Sequence, residues 1–390
     1  MGNTKSTDHG SNPSKAEESR PFNPRVLQAF KRLTGDTNDG LRFEALKERV
    51  GGTLATSLWK YLSDGSMGQD ESMSFEQFSR HAQSLVGPAT DIYIVQLMPL
   101  HHLLKVCFEA AGVDAVQGDE KFINLLVEQM ESGGQEPLDI VNWKRAVCPN
   151  LCNAVQAKVM SGFYGIPNPQ TDFSSDILSP IQMFFLQCCL PAKFFPTESR
   201  QFEEQEKDRS DLTRHWTPLY SSAEHGISVN RFEANVFDYH GATIAIFELT
   251  NGTVAAIAAD QEWRHSGKRF GGPHTALYQF SPVCKTIEQP GAIYCNLKLR
   301  SAALGLSFDR HFSVDKEMNG VKAIEVWGCS GATTLQEQQK LKQWQSRQVE
   351  KNKKVPLPGN WDENPDKTLL EMAGFTFSSE RQDDGPPRHD

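Results

Sequence analysis

The chain has 390 residues, more than one apolar core usually organises, so two compact parts with tails are expected. A formal net charge of −9 and an isoelectric point near 5.7 argue against a nucleic-acid binder, which would need a basic stripe, and nucleic acid is not an expected partner. Eight cysteines without a C-x-x-C pair or regular spacing argue against a zinc knuckle or a secreted disulfide framework and read as reduced intracellular thiols.

Residues 1–20 are polar, hold no apolar run and read as a disordered arm without a secretory signal. Met1-Gly2-Asn3-Thr4-Lys5-Ser6 fits M-G-x-x-x-[ST], the acceptor pattern for myristoylation of Gly2. One myristoyl chain binds membranes only marginally, and Lys5, Lys15 and Arg20 are too few for a polybasic patch. Attachment through Gly2 is therefore expected to be reversible, or completed by a protein. The most apolar stretches, 92–108 and 177–195, are broken by polar residues or prolines and fall short of the roughly 20 apolar residues a spanning helix needs.

Residues 21–160 read as a helical, EF-hand-like domain. Asn23 can cap a helix with Pro24 at its first position, placing Val26, Leu27, Phe30 and Leu33 on one face. Phe43, Leu46 and Val50, then Leu54, Leu58, Trp59 and Leu62, repeat the spacing. Two stretches look like worn calcium loops. In one, Ser66, Gly68 and Asp70 stand at the first ligand positions, Glu71 where glycine is needed, and Gln77 where a bidentate Glu belongs; in the other, from Glu131 to Trp143, Gly133, Gln135 and Asn142 take the ligand positions. Neither has the carboxylates for calcium, so no metal is expected. Residues 161–210 read as a linker and lead-in helices, with the charged run 198–209 a solvated loop or a lid.

From 211 to 330 the pattern changes to short strands. Its centre is a hairpin in which 242–249 and 253–259 flank Thr250-Asn251-Gly252; Asn-Gly predicts a type I′ turn, and consecutive apolar residues in both arms predict a central pair covered on both faces. Around it stand Trp216-Thr217-Pro218-Leu219-Tyr220-Ser221, His225-Gly226-Ile227-Ser228-Val229-Asn230, Gly241-Ala242-Thr243, Trp263, Gly271-Gly272, Phe280-Ser281-Pro282 and Glu325-Val326-Trp327-Gly328. Residues 331–390 form a C-terminal helix and tail: Thr333 to Lys354 is a basic helix with Leu335, Leu341, Trp344 and Val349, ended by Pro356 and Pro358. Leu369, Leu370, Met372, Phe375 and Phe377 follow as an apolar patch, read either as packing on its own domain or, with Leu341 and Trp344, as partner-binding.

Three groups invite a chemical reading. Glu224-His225 beside Ser221, Ser222 and Ser228 lacks a G-x-S-x-G elbow and reads as a hydrogen-bonded turn. Cys284 or Cys295 with His274 would make a thiol–imidazole pair, against the plainer reading of half-buried strand thiols. Trp263 to Arg269 and the following glycines lack phosphate-loop spacing and read as a solvated hairpin end.

The ordered fragments from Trp216 to Gly328 resemble the TLDc domain family, whose pattern runs W-x-x-L-Y-S, H-G-x-S-x-N, G-x-T, W, a glycine pair, F-S-x-P and E-V-W-G. The resemblance marks Trp216, Ser221, Gly226, Asn230, Gly241, Trp263, Gly272, Glu325, Trp327 and Gly328 as signature positions. It implies an α+β chain whose C-terminal half is a two-sheet antiparallel sandwich with flanking helices, without a catalytic site or cofactor. It also implies a role in oxidation resistance and in binding and regulating the vacuolar-type proton ATPase. One departure is Ser301 to Asp309, which lacks the glycine-rich run and the tryptophan usual before the leucine and aspartate. Lysosome-associated members with a myristoylation motif share this order of parts, and their closing L-L-E-x-x-G is similar to Leu369 to Gly374. That likeness implies a peripheral protein on the cytoplasmic face of lysosomal or other endomembranes, with a cytosolic pool, acting in mTOR signalling as a non-enzymatic adaptor. The alternative is a thiol-based antioxidant enzyme.

Overall fold

A computed structural model describes residues 24–35, 40–86, 99–166, 174–195, 216–299, 303–330, 332–353 and 365–374. Gly2 and the N-terminal arm, Asn23, the run 198–209, Phe375 and Phe377 lie outside the described residues. Two compact units divide near Leu335. Among the described residues the first opens with eight α-helices: α1 (Pro24–Thr34), α2 (Phe43–Val50), α3 (Gly52–Leu62), α4 (Phe75–Ala82), α5 (Leu100–Ala111), α6 (Asp119–Glu131), α7 (Pro137–Val147) and α8 (Asn153–Tyr164). The lead-in helix α9 (Pro180–Cys189) follows, and the short α10 (Ser222–His225) and α11 (Val229–Val236) lie among the strands. The second unit holds most of α12 (Ala332–Lys353) and all of α13 (Pro365–Met372).

In α1 the buried face is Val26, Ala29 and Leu33, with Phe30 half-buried; Leu27, expected inside, is exposed, because the i, i+3, i+7 row through Val26 turns it outward. The α1–α2 and α3–α4 pairs are joined through their loops. Strand β1 (Leu41–Arg42) pairs antiparallel with β2 (Ser72–Met73), Leu41 opposite Met73. Gln77, at the place of the missing bidentate Glu, is turned back on its own helix: Ser74 N–H donates to its Oε1 at 2.9 Å while Gln77 N–H donates to Ser74 Oγ at 3.3 Å, a closed capping box. The expected second worn loop from Glu131 to Trp143 is absent. Five residues join α6 to α7, too few for a twelve-residue calcium loop.

The β half has two antiparallel sheets. Six strands run in the order β3 (Thr217–Ser221), β11 (Val321–Gly328), β4 (Thr243–Leu249), β5 (Val254–Ala259), β6 (Ala276–Ser281), β7 (Lys285–Glu288), and three in the order β10 (Phe312–Asp315), β9 (Leu304–Phe308), β8 (Ile293–Cys295). The β4–β5 hairpin is central, with Ile246 opposite Ala256. Its turn is not type I′. Only Gly252 in the loop has positive φ, at 83°; Gly252 N–H donates to Leu249 C=O at 3.0 Å, and Leu249 N–H to Thr253 C=O at 2.8 Å. That is a three-residue loop with a glycine bulge, the other solution that matches strand twist. Asn251 acts through its side chain, Oδ1 accepting from Thr253 N–H at 3.0 Å.

Both faces of this hairpin are buried, as its consecutive apolar residues dictate. Ala245, Phe247, Ala255, Ile257 and Ala259 face a core shared with the three-stranded sheet and Phe232 of α11. Ile244, Ile246, Ala256 and Ala258 face the other way, into one continuous core with the helical half. There Phe280 of β6 meets Phe122 of α6 and Phe185 of α9 at ring centroid distances of 5.9 and 6.5 Å. The helices thus cover the outer face of the sandwich. Phe247 is fully buried and packs its ring 5.2 Å from that of Phe312 across the sheets. Phe247→Ala is expected to lower stability by about 3–5 kcal/mol, read by urea unfolding.

Candidate functional site

The signature residues converge on the frame of the sandwich. Trp216 Nε1 donates to Phe194 C=O at 2.7 Å and its ring stacks on Phe195, fastening the first strand to the segment after α9. Tyr220 Oη donates to Gly226 C=O at 2.6 Å and accepts from Ser228 N–H at 3.2 Å, with His225 stacked on the ring at 5.4 Å. Ser221 Oγ accepts from Ala223 N–H, Ser222 Oγ from Ile324 N–H and Ser228 Oγ from Arg231 N–H. The Ser221 and Ser228 hydroxyls close a turn and a helix start, the Ser222 hydroxyl ties α10 to β11, and none of the three contacts His225. Asn230 is exposed on α11.

Gly328 and Gly241 make room for Tyr239. A methyl group on Gly328 would sit 2.7 Å from the Tyr239 ring, and one on Gly241 would collide with Ser330. The freed Tyr239 hydroxyl accepts from Ser330 N–H at 2.9 Å. Trp263 Nε1 donates to the buried Thr243 Oγ1 at 2.7 Å, joining two more signature positions. Glu325, 4% exposed, accepts from Ser175 Oγ and from Asp176 N–H, both at 2.6 Å, and from Trp327 Nε1 at 3.3 Å. This buried carboxylate clips the chain leading into α9 onto β11, and such charge-assisted bonds are the strong ones.

The loop from Trp263 to Pro273 is a hairpin connection between β5 and β6, but it is less solvated than expected. Trp263 and Phe270 are buried, Arg264 lies over the Phe270 ring at 4.6 Å, and Arg269 pairs with Asp309. The donors of the glycine pair are taken up by the chain itself: Gly271 N–H donates to Gln261 Oε1 at 3.3 Å, and Gly272 N–H faces a carboxylate. Asp260 accepts from Gly272 N–H at 2.7 Å, His274 N–H at 3.0 Å and Thr275 Oγ1 at 2.8 Å. Burial pushes its carboxyl up, and these hydrogen bonds outweigh it, holding the carboxyl below the usual range. Beside it a shallow groove of about 430 Å³ is lined by Lys193, His240, Gln261, Glu262, Arg264 and Ser330 among others. His240 Nδ1 lies 2.6 Å from Glu262 Oε2 there, so the lining is of mixed sign.

The thiols do not meet His274. Cys284 belongs to the core on the helical side and Cys295 to the core between the sheets, while His274 is exposed. Both thiols are buried, not half-buried, and Cys284 lies just before β7, its Sγ 3.3 Å from Gln129 Oε1. Burial pushes each pKa up to about 12. Five other cysteines gather where α5, the α7–α8 connection and α9 meet: Cys107, Cys148, Cys152, Cys188 and Cys189. A hydrogen bond with Cys152 and burial raise Cys107, and burial raises Cys148, Cys188 and Cys189. Sequence spacing could not reveal this cluster, since its members come from three separate stretches.

Among the described residues no group of three or more His, Cys, Asp or Glu could hold a metal ion, and no helix is long and apolar enough to cross a membrane. On α12 Trp344 is 58% exposed and Leu341 half-buried; on α13 Leu369 and Met372 are 64% and 83% exposed and Leu370 is also exposed, so the α13 patch is open to solvent.

Three outcomes are expected. Glu325→Gln leaves Asp176 N–H facing a competing donor; it lowers stability by about 1.5–3 kcal/mol and speeds hydrogen exchange at 174–178. The folded pKa of Asp260 lies below its unfolded value, so its contribution is present above about pH 4 and lost as pH falls through the folded value. Asp260→Asn therefore destabilises more at pH 7 than at pH 3, read by denaturant unfolding at both. With thiols held neutral by burial, iodoacetamide at pH 8 is expected to label the native protein far more slowly than the unfolded chain, followed by mass spectrometry.

Residues 171–320 match the TLDc domain family, a span from the approach to α9 through β10. Similar relatives are "Restriction of telomere capping protein 5" of Pyrenophora tritici-repentis, 23% identical over 42% of this chain and 42% of the relative, and its namesake in Leptosphaeria maculans, 23% identical over 42% and 41%. The protein of the same name in Zygosaccharomyces rouxii is 22% identical over 41% of this chain and 44% of its own. The chain thus spans less than half the length of these curated relatives. The two-sheet sandwich, its lead-in helix and its signature contacts make residues 171–320 of this chain a TLDc domain.

Proposed function

We propose that the protein is a non-enzymatic adaptor that binds the vacuolar-type proton ATPase from the cytoplasmic face of lysosomal or other endomembranes and acts in TOR or oxidative-stress signalling. One observation carries the reading: apart from the exposed Asn230, the polar signature side chains are spent on holding the sandwich together. Ser221, Tyr220, Trp263 and Glu325 all bond within the fold, as does the neighbouring Asp260. What remains for function is surface. Gly2 bears the lipid, and the exposed Leu369, Leu370 and Met372 of α13 offer the apolar contact that a partner groove would cover. The thiol-enzyme alternative needs a thiolate, and burial works against one at both Cys284 and Cys295.

The test is capture from lysosomal membranes followed by mass spectrometry. Pump subunits are expected with the parent chain and lost with Leu369→Asp and Leu370→Asp combined, while Gly2→Ala reduces the membrane-bound fraction. Recovery of pump subunits undiminished by the α13 changes would remove that contact from the proposal. Peroxide turnover by the purified protein, abolished by Cys284→Ser or Cys295→Ser, would replace the adaptor with the enzyme.

A further inference from the structure

The sequence of α12 sets Lys340, Lys342, Arg347, Lys351 and Lys353 against only Glu337 and Glu350, and the helix has 22 residues. At 1.5 Å per residue it is about 33 Å long. Lys340, Trp344 and Arg347 stand at i, i+4 and i+7, so they share one stripe, and all three are exposed.

The composition of that stripe decides what it fits. A helix that enters a protein groove presents apolar anchors at i, i+3 or i+4, and i+7. Here the row through Trp344 has cations at both flanking places, and the adjacent row, Leu341, Trp344, Gln348, has a polar residue where the third anchor belongs. One indole between cations is a poor groove ligand. It suits the boundary of a bilayer, where an indole sits at headgroup depth and Lys and Arg meet anionic headgroups.

We propose that α12 lies along an anionic lipid bilayer, with Trp344 at headgroup depth and Lys340 and Arg347 against the lipid phosphates and carboxylates. This contact is separate from Gly2 and independent of any protein partner. It supplies the second membrane signal that a single acyl chain requires for stable residence.

The test uses the full chain with Gly2→Ala, so that no acyl chain contributes, and co-sedimentation with vesicles of phosphatidylcholine alone or with added phosphatidylserine. Binding is expected to the phosphatidylserine vesicles only, to weaken as salt rises, and to fall about fivefold for each cation removed in Lys340→Gln and Arg347→Gln. Lys340→Glu with Arg347→Glu is expected to abolish it, with thermal unfolding of the first unit unchanged; Trp344→Ala lowers binding at every salt concentration. No binding to phosphatidylserine vesicles, equal binding to both vesicle types, or undiminished binding by the charge-reversed variant would overturn the proposal. A helix that instead recognises an acidic protein gives the first of these results. Failure to recover pump subunits from membranes leaves the vesicle result unaffected, so the two proposals fail separately.

Discussion

The apolar character of both faces of the β4–β5 hairpin is the constraint from which the rest of the first unit follows. A sheet whose central strands alternate Ile246 to one side and Phe247 to the other must be covered twice. The three-stranded sheet and α11 supply one cover. The helical half, with α9 lying closest in sequence, supplies the other. Burying one such side chain is worth about 1.5–3 kcal/mol, so leaving either face wet would forfeit an amount comparable to the whole stability of an ordinary domain.

The TLDc signature becomes intelligible on that frame. Its aromatic and polar residues sit at places where a strand end or a turn would otherwise leave a buried polar group without a partner. Glu325 is the clearest: a carboxylate inside a strand is costly unless several donors reach it, and Ser175, Asp176 and Trp327 do. Conversely, Gly328 is small because the ring of Tyr239 occupies the space a side chain would need.

Much of this was legible in the sequence because it is local. Consecutive apolar residues around Ile246 and the spacing of Leu54, Leu58 and Leu62 each state a short-range preference, and the structure obeys them. The turn at Gly252 was misjudged because Asn-Gly serves two hairpin geometries, and strand register rather than composition selects between them. Leu27 was misplaced because four apolar residues on α1 span more arc than the core accepts. The clip between Ser175 and Glu325 and the gathering of Cys107, Cys148 and Cys188 join residues far apart in the chain, and no spacing rule connects them.

The helical half and the sandwich share a single core across the outer face of the large sheet. Separating them at the boundary that the change from helical to strand pattern suggests would strip Ile244, Ile246, Ala258 and Tyr278 of their cover and leave a contiguous greasy plane in water. Fragments cut there would self-associate, so a truncation that abolishes activity reports the collapse of both parts and cannot be assigned to the part removed.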